Sequence, residues 1–284
     1  MNRRKIEILD STLRDGAQGE GISFSVNDKL NIVDALDQFG VDFIEAGNPG
    51  SNPKDLEFFG KAAELKLAHA RLCAFGSTRR HNTAAADDAN IKSLLSANTP
   101  VVVIFGKAWE LHVTEILRIS LEENLEIVRD TIEYLRSKSK EVIFDAEHFF
   151  DGYKASESYA MSVLRAAAEG GATTLVLCDT NGGTLPIDVY NITKKVAEAF
   201  SDKKIGIHCH NDIDCAVAST LMAVEAGATH VQGTFIGIGE RCGNANLSAI
   251  IPGLVLKRGY KCCRDMSILS DTARKIAEIS NTQL

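Results

Sequence analysis

The sequence lacks long hydrophobic runs and any excess of positive charge. It contains no run of roughly 18 apolar residues, so we expect no transmembrane helix and no membrane partner. The formal net charge is −7, which disfavours a broad basic surface, so no nucleic-acid partner is expected. Near the start, the apolar run at residues 6–9 is short and is interrupted by Glu7, so no signal peptide is predicted.

Several common motifs are also missing. The seven cysteines are an odd number with no disulfide-framework spacing, and Cys262 is adjacent to Cys263. Reduced thiols in a cytoplasmic protein are therefore expected. There is no Gly-X-X-X-X-Gly-Lys-Ser/Thr phosphate loop. The glycine-rich segment 237–246 lacks the Gly-X-Gly-X-X-Gly spacing of a dinucleotide site, and no Ser-His-Asp pattern stands out.

What the 284 residues do contain is an alternation of short apolar runs with helical patterns. One such helix is indicated by apolar residues from Leu30 to Phe39, with Ser25 and Asp28 as a capping box and Gly40 at its end. Strands separated by helices imply parallel pairing and right-handed crossovers. We predict a (β/α)8 TIM barrel, with an open doubly wound sheet as the alternative. The predicted strands are residues 6–11, 42–46, 71–75, 101–105, 141–145, 174–178, 205–210 and 229–233.

The seventh predicted strand ends in a His-X-His pair. Side chains alternate along a strand, so Ile205, Ile207 and Cys209 should face the outer helices while His208 and His210 face the interior. Two imidazoles on one face can ligate a divalent metal. The alternative is a pair of hydrogen-bonded polar residues in a core layer.

The first predicted strand leads into Arg14 and Asp15. In a TIM barrel the strand ends meet at one face, so Asp15 could supply a carboxylate to the two histidines. Arg14 beside it could pair with a substrate carboxylate and polarise a carbonyl. The alternative for these two residues is an ion pair that stabilises a loop.

The fifth and sixth predicted strands end with further polar residues. Asp145 and Glu147 share one face and suit acid–base work beside a metal, although they could equally be surface acids. Thr180 follows the sixth strand, where its hydroxyl could bond a substrate carboxylate. Metal-ligand and charged residue types thus recur at four strand ends, which favours a common site.

Together these motifs resemble the DRE-TIM metallolyase superfamily, in its branch of isopropylmalate, homocitrate and citramalate synthases. The resemblance rests on residues 9–18, on His208-Cys209-His210-Asn211-Asp212 and on residues 239–244. Residues 49–55, 144–153 and 178–186 are similar to the long-type citramalate synthases in particular. Departures at Asp214 and Ile236, among others, leave the metal-type residues intact.

The resemblance implies a role for each matching position. The implied ligands of a divalent metal (Mg, Mn or Zn) are Asp15, His208 and His210, with Asn244 as a fourth candidate. The implied catalytic and substrate-binding residues are Arg14, which would activate a 2-oxo group, Glu147 as an acid–base residue, and Thr180 and Gln18 as contacts to the bound acid. The implied partners are a 2-oxo acid, acetyl-CoA and a second subunit in a homodimer.

The implied reaction is the condensation of acetyl-CoA with pyruvate to give citramalate and CoA. The alternatives are another 2-oxo acid, a cleavage enzyme like hydroxymethylglutaryl-CoA lyase that would use Cys242, and a barrel that binds its ligands with little turnover. We expect a catalytic barrel over residues 1–260 and, over residues 261–284, a C-terminal helix that begins a linker. The resemblance implies a further subdomain and a regulatory domain, which this sequence does not contain.

Overall fold

The chain forms a closed barrel of eight parallel strands, each hydrogen-bonded to its neighbours in sequence. The structure, a computed structural model, describes residues 4–284. β1 pairs with β8 as well as with β2, which closes the ring. The predicted (β/α)8 barrel is confirmed, and the open-sheet alternative is wrong. The strands are β1 (Glu7–Asp10), β2 (Phe43–Glu45), β3 (Arg71–Ser77), β4 (Val101–Lys107), β5 (Glu141–Glu147), β6 (Thr174–Asp179), β7 (Lys204–Cys209) and β8 (His230–Gly233).

Helices connect the strands on the outside of the barrel. In the helix that follows β1, Ser25 and Asp28 form the predicted capping box, and Gly40 ends the helix with φ 86°. Two short π-helical turns occur as well, at His112–Leu117 and Gly253–Lys257. The α-helices are α1 (Val26–Phe39), α2 (Pro53–Ala62), α3 (Ala89–Ser96), α4 (Leu121–Ser137), α5 (Phe149–Ala155), α6 (Glu157–Glu169), α7 (Pro186–Ala199), α8 (Ala216–Ala226), α9 (Leu247–Pro252) and α10 (Leu269–Ser280).

The core has two layers, as a barrel requires. Inside the ring lies a small apolar cluster that includes Leu9, Phe43 and Val103. Between the strands and the helices lies a much larger cluster, which contains Ile205, Ile207 and Cys209 of β7. The predicted alternation along β7 is therefore confirmed, because its apolar side chains face the helices.

The C-terminal segment packs back onto the barrel. The backbone N–H groups of Arg264 and Asp265 donate to the carbonyl of Phe39, at 3.2 and 3.4 Å, beside the end of α1. A 3-10 turn at Met266–Ile268 precedes α10, so the helix occupies only part of the segment 261–284 in which it was expected. The division into a barrel over 1–260 and a linker over 261–284 stays a prediction. Within residues 4–284, none of the helices has the length and apolar character to cross a bilayer.

Candidate active site and metal centre

A cavity of about 220 Å³ opens at the carboxyl ends of the strands. Catalytic side chains gather at this end in TIM barrels. The structure places the predicted residues Arg14, Gln18, Glu147 and Thr180 in its wall, together with three of the predicted metal ligands. The lining residues are Arg14, Asp15, Gln18, Phe75, Phe105, Asp145, Glu147, Cys178, Thr180, His208, His210 and Glu240.

Asp15, His208 and His210 form a triad of neighbouring side chains in the lining of this cavity. One possible ligand atom from each lies within 4.8 Å of the other two. The Nε2 atom of His208 is 3.4 Å from a carboxylate oxygen of Asp15. All three side chains are buried, with 3%, 4% and 7% of their surface exposed. Two imidazoles and one carboxylate form a donor set that suits a divalent cation and leaves positions for substrate oxygens.

Unpartnered polar atoms at this point fit a cation. Within the described chain, the Nδ1 atom of His210 and the side-chain oxygen of Asn244 are buried and accept or donate no hydrogen bond. The amide nitrogen of Asn244 donates to Asp15 at 3.0 Å, so Asn244 touches the triad. A buried polar atom without a partner costs about 1–3 kcal/mol. A bound cation would remove that cost for donor atoms that face it.

Local charges set the protonation of the proposed ligand atoms. Burial alone would lower the pKa of His208, but the hydrogen bond and the charge of Asp15 outweigh it and raise this pKa. Burial opposes ionisation of Asp15, but Arg14 and His208 outweigh it and hold the pKa of this carboxyl well below its usual value. Burial, with His208 next to it, lowers the pKa of His210 to about 4. His210 is therefore neutral near pH 7, the form in which an imidazole binds a metal.

Arg14 joins two carboxylates across the mouth of the barrel. Its Nη1 atom donates to Asp15 at 2.8 Å, and its Nε atom donates to Glu45 at 2.5 Å. The guanidinium carbon also lies 3.8 Å from the ring centre of Phe75. The loop ion pair considered from the sequence does exist, but Arg14 also lines the cavity. These contacts hold the guanidinium in one orientation.

Glu147 and Thr180 are held by neighbours on adjacent strand ends. Glu147 forms an ion pair with Lys107 at the end of β4. The hydroxyl oxygen of Thr180 accepts a bond from the backbone N–H of His148 at 2.9 Å, where His148 has φ 56°. This contact uses a lone pair of the oxygen and not the hydroxyl hydrogen. The hydrogen can therefore be donated to an acceptor in the cavity.

The sequence patterns missed several residues of the site. Glu45 is fully buried against Arg14, and Glu240 lines the cavity inside the glycine-rich segment 239–244. Phe75 and Phe105 stack in the cavity wall, with ring centres 5.2 Å apart and planes inclined by 16°. The charge of Glu45 near the end of the second predicted strand, residues 42–46, was the available signal for this residue. Nothing local distinguishes the two phenylalanines from ordinary core residues.

Two positions singled out from the sequence lie beside the site. Asp214, one of the departures noted in the sequence, has φ 58°, a left-handed conformation that aspartate tolerates better than most residues. Cys242 is exposed and does not line the cavity, so no observation supports the cleavage reaction that would use it.

A family model described as HMGL-like matches residues 5–279. The chain belongs to the HMGL-like family. This HMGL-like barrel resembles the solved structure of an HMG-CoA lyase from Bacillus subtilis, with a TM-score of 0.83 and 20% identity over 100% of this chain and 97% of that one. At that identity the likeness shows the fold alone.

Curated relatives confirm the resemblance to the synthase branch. An (R)-citramalate synthase of Aquifex aeolicus is 55% identical over 99% of this chain and 53% of its own length. One of Sulfolobus acidocaldarius is 51% identical, with the same two coverages. The homocitrate synthase AksA of Methanopyrus kandleri is 36% identical over 97% of this chain and 66% of its own length. The chain thus spans about half the length of the citramalate synthases that it matches.

Proposed function

We propose that this chain is the catalytic barrel of an enzyme that condenses acetyl-CoA with pyruvate to give citramalate and CoA. The observation that carries the proposal is the convergence of Asp15, His208 and His210 in a cavity that also contains Arg14, Glu147 and Thr180. Relatives named (R)-citramalate synthase, at 49–55% identity, support the choice of reaction.

The balanced reaction has two steps. A methyl proton leaves acetyl-CoA, the resulting carbon bonds to the keto carbon of pyruvate, and the keto oxygen takes up a proton. Water then cleaves the thioester, which releases CoA and leaves citramalate. A divalent cation held by Asp15, His208 and His210, with Asn244 as a fourth candidate ligand, would polarise the 2-oxo group of the bound acid.

The chain's own residues bind the acid and offset the developing charge. Arg14, held by Asp15 and Glu45, presents N–H groups to the oxygen that becomes negative. Thr180 donates its free hydroxyl hydrogen to the carboxylate of the acid, where Gln18 is a further contact. Glu147, paired with Lys107, is the carboxyl group placed to exchange protons in the cavity.

The cavity wall favours a small apolar substituent on the oxo acid. The stacked rings of Phe75 and Phe105 present an apolar surface beside Arg14 and the triad. The methyl group of pyruvate can pack there, whereas a charged substituent would lose its hydration. This supports pyruvate over a 2-oxo acid with a charged substituent.

The proposal extends to the setting of the enzyme. We propose a homodimer in the cytoplasm, with the 2-oxo acid and acetyl-CoA as its small-molecule partners. The seven cysteines, all within the described range, are free thiols, which fits a reducing compartment.

The test is release of free thiol from acetyl-CoA in the presence of a divalent metal and a panel of 2-oxo acids. Pyruvate should give the fastest release, because its methyl group suits the apolar wall. His208→Ala and His210→Ala should each lower turnover by at least roughly 100-fold and weaken metal binding, since each removes a ligand of the centre. The matched control is His69→Ala, which replaces an exposed histidine that contacts Arg264 away from the cavity.

Full activity in either cavity variant would contradict the assignment. Calorimetry separates two further outcomes for the barrel as it stands. Pyruvate binding without thiol release would identify a barrel that recognises its substrate with little turnover. Absence of both binding and release would remove the proposed function.

A further inference from the structure

Arg241 connects the loops that follow three neighbouring strands at the mouth of the barrel. It lies in the loop after β8, and its Nε and Nη2 atoms donate to the two carboxylate oxygens of Asp212, in the loop after β7, at 2.8 and 2.9 Å. The same Nη2 atom donates to the backbone carbonyl of Thr180, after β6, at 2.8 Å. One guanidinium therefore fixes three chain segments relative to one another, through the planar fork that distinguishes arginine from lysine.

The backbone of Arg241 adopts a conformation that is unfavourable for a residue with a Cβ atom. Its φ angle is 54°, in the left-handed region. The turn around it is closed by the N–H of Gly243, which donates to the carbonyl of Glu240 at 2.9 Å. Strain of this kind persists where the surrounding contacts hold it. The three bonds of the guanidinium are such contacts, and a glycine at this position would keep the turn without them.

Thr180 is held on two sides as a result. Its hydroxyl oxygen accepts a bond from the backbone N–H of His148, after β5, and its carbonyl accepts the bond from Arg241. The first contact fixes the side chain and the second fixes the main chain, so the hydroxyl keeps only the rotation of its hydrogen. Among the described residues, Thr180 lines the cavity and Arg241 does not. Arg241 therefore reaches a ligand in the cavity through the residues that it holds.

We propose that Arg241 is a positioning residue, which holds the main chain of Thr180 so that the Thr180 hydroxyl meets the carboxylate of the bound acid. The inference rests on the proposed function, because Thr180 is the proposed contact to that carboxylate. Asp212 fixes the orientation of the guanidinium toward Thr180. Asp212 and Arg241 belong to residues 208–212 and 239–244, so these two segments act together on the substrate.

The first experiment measures how firmly the loops are held, without any ligand. Hydrogen–deuterium exchange followed by mass spectrometry reports how often the backbone of residues 180–184 and 212–214 opens. Arg241→Lys keeps the positive charge, but one ammonium group cannot reproduce all three bonds of the guanidinium. Exchange in both segments should be faster than in the wild type, while exchange in α4 should stay the same. Arg241→Gly, which accepts the left-handed backbone, should show the same increase.

A double-mutant cycle tests whether Arg241 acts on the substrate through Thr180. Pyruvate binding is measured by calorimetry at saturating manganese. Thr180→Val removes the hydroxyl at nearly constant shape and should weaken binding by roughly 10-fold or more, because a hydrogen bond to a charged group is lost. Arg241→Lys alone should weaken binding by a smaller factor. In the Thr180→Val background, Arg241→Lys should have no further effect, because the hydroxyl that it positions is absent.

Manganese titration and thermal unfolding separate positioning from general damage. Asn244, the candidate ligand nearest to Arg241 in sequence, is held by its own bonds within the loop after β8. Arg241→Lys should therefore leave the affinity for manganese unchanged. The matched control is Arg258→Lys, which breaks a similar pair with Glu225 outside the cavity lining. Both variants should have similar midpoints of thermal unfolding, because exposed pairs contribute little to stability, and only Arg241→Lys should weaken pyruvate binding.

Three results would overturn the inference. The first is unchanged exchange in Arg241→Lys, and the second is a pair of factors for pyruvate binding that simply multiply in the double variant. The third is an equal loss of pyruvate binding in Arg258→Lys, which would show that the effect is not specific to the loop of Thr180. A wild type that binds pyruvate but releases no thiol, together with the expected cycle, would leave this inference standing and remove only the proposed reaction.

Discussion

At the scale of single residues, Arg14 connects more parts of the site than any one of the proposed metal ligands does. Its guanidinium bonds Asp15 and Glu45 through different nitrogens and lies against the ring of Phe75. These contacts use the planar fork that distinguishes arginine from lysine. The same fork leaves further N–H groups for an oxygen in the cavity. Arg14 therefore connects the first turn after β1, the end of β2 and the proposed substrate.

We expect Arg14→Lys to lower turnover by roughly 10²–10³-fold, comparable to the loss of a donor that stabilises a developing negative charge. A single ammonium group cannot keep both carboxylates in place and still reach the substrate oxygen. Thiol-release kinetics measure the effect, and manganese titration should show that the metal still binds. Arg274→Lys, an exposed change on α10, serves as the control. Undiminished turnover in Arg14→Lys would rule out its role in charge stabilisation.

At the scale of elements, the helix ends show how local sequence positions the site. α1 begins with a complete capping box and ends at Gly40 in the left-handed conformation. A Cβ atom at Gly40 would meet the side chain and backbone of Arg264, within 3 Å. The end of α1 is thus pressed against the segment that leads to α10. A residue other than glycine would suffer both the backbone strain and the collision.

Gly40→Ala should therefore destabilise the protein by about 1–2 kcal/mol or more, from the left-handed conformation alone. Its counterpart is Gly60→Ala in α2, where an added Cβ atom meets nothing within 4 Å. That change should stabilise by about 0.5–1 kcal/mol, because alanine favours a helix interior. Urea unfolding measures both. The opposite signs are the essential result, and a stabilised Gly40→Ala would refute the argument.

Elements were predictable where the pattern is local, and so was the meeting of Asp15, His208 and His210 at one face of the barrel. Contacts between side chains of neighbouring strands were not predictable. Short apolar runs bounded by helices located all eight strands, yet β4 and β5 run on to Lys107 and Glu147. Charged residues at these ends resemble loop sequence, although their backbone still pairs in the sheet. The contact between Arg14 and Glu45 depends on how β1 and β2 lie in the closed ring, which no sequence spacing encodes.

At the scale of the whole molecule, charged residues at the start of the strands form ion pairs with one another. These pairs lie at the end of the barrel opposite the cavity and connect neighbouring strands. Glu7 on β1 pairs with Lys204 on β7 at 2.6 Å and lies 3.7 Å from His230 on β8. Burial alone would raise the pKa of Glu7, but His230 and Lys204 outweigh it and lower the pKa to about 2. These contacts join three consecutive strands across the seam where the barrel closes.

The contacts of Glu7 with Lys204 and His230 should make the folded protein less stable in acid. A carboxyl whose pKa is lowered by folding contributes stability above its unfolded pKa of 4.5 and loses it as the pH falls toward about 2. Glu7→Gln should lower the midpoint of thermal unfolding at neutral pH, and its difference from the wild type should shrink below about pH 4.5. Glu57→Gln, in an exposed pair on α2, should change little. A difference that stays constant down to pH 2 would show that the charge of Glu7 is not the cause.

The closure of the ring has one more consequence, for the order in which the protein acquires its parts. Asn244 and Asp15 touch across a separation of 229 residues, so the centre cannot exist until the first and last strands have met. Contacts of such long range form late, because the chain between them must be ordered first. A cation that binds there recognises only the finished ring. It would therefore stabilise the closed barrel. At a free cation concentration 100 times the dissociation constant, the free energy of unfolding would rise by roughly 2.7 kcal/mol by mass action.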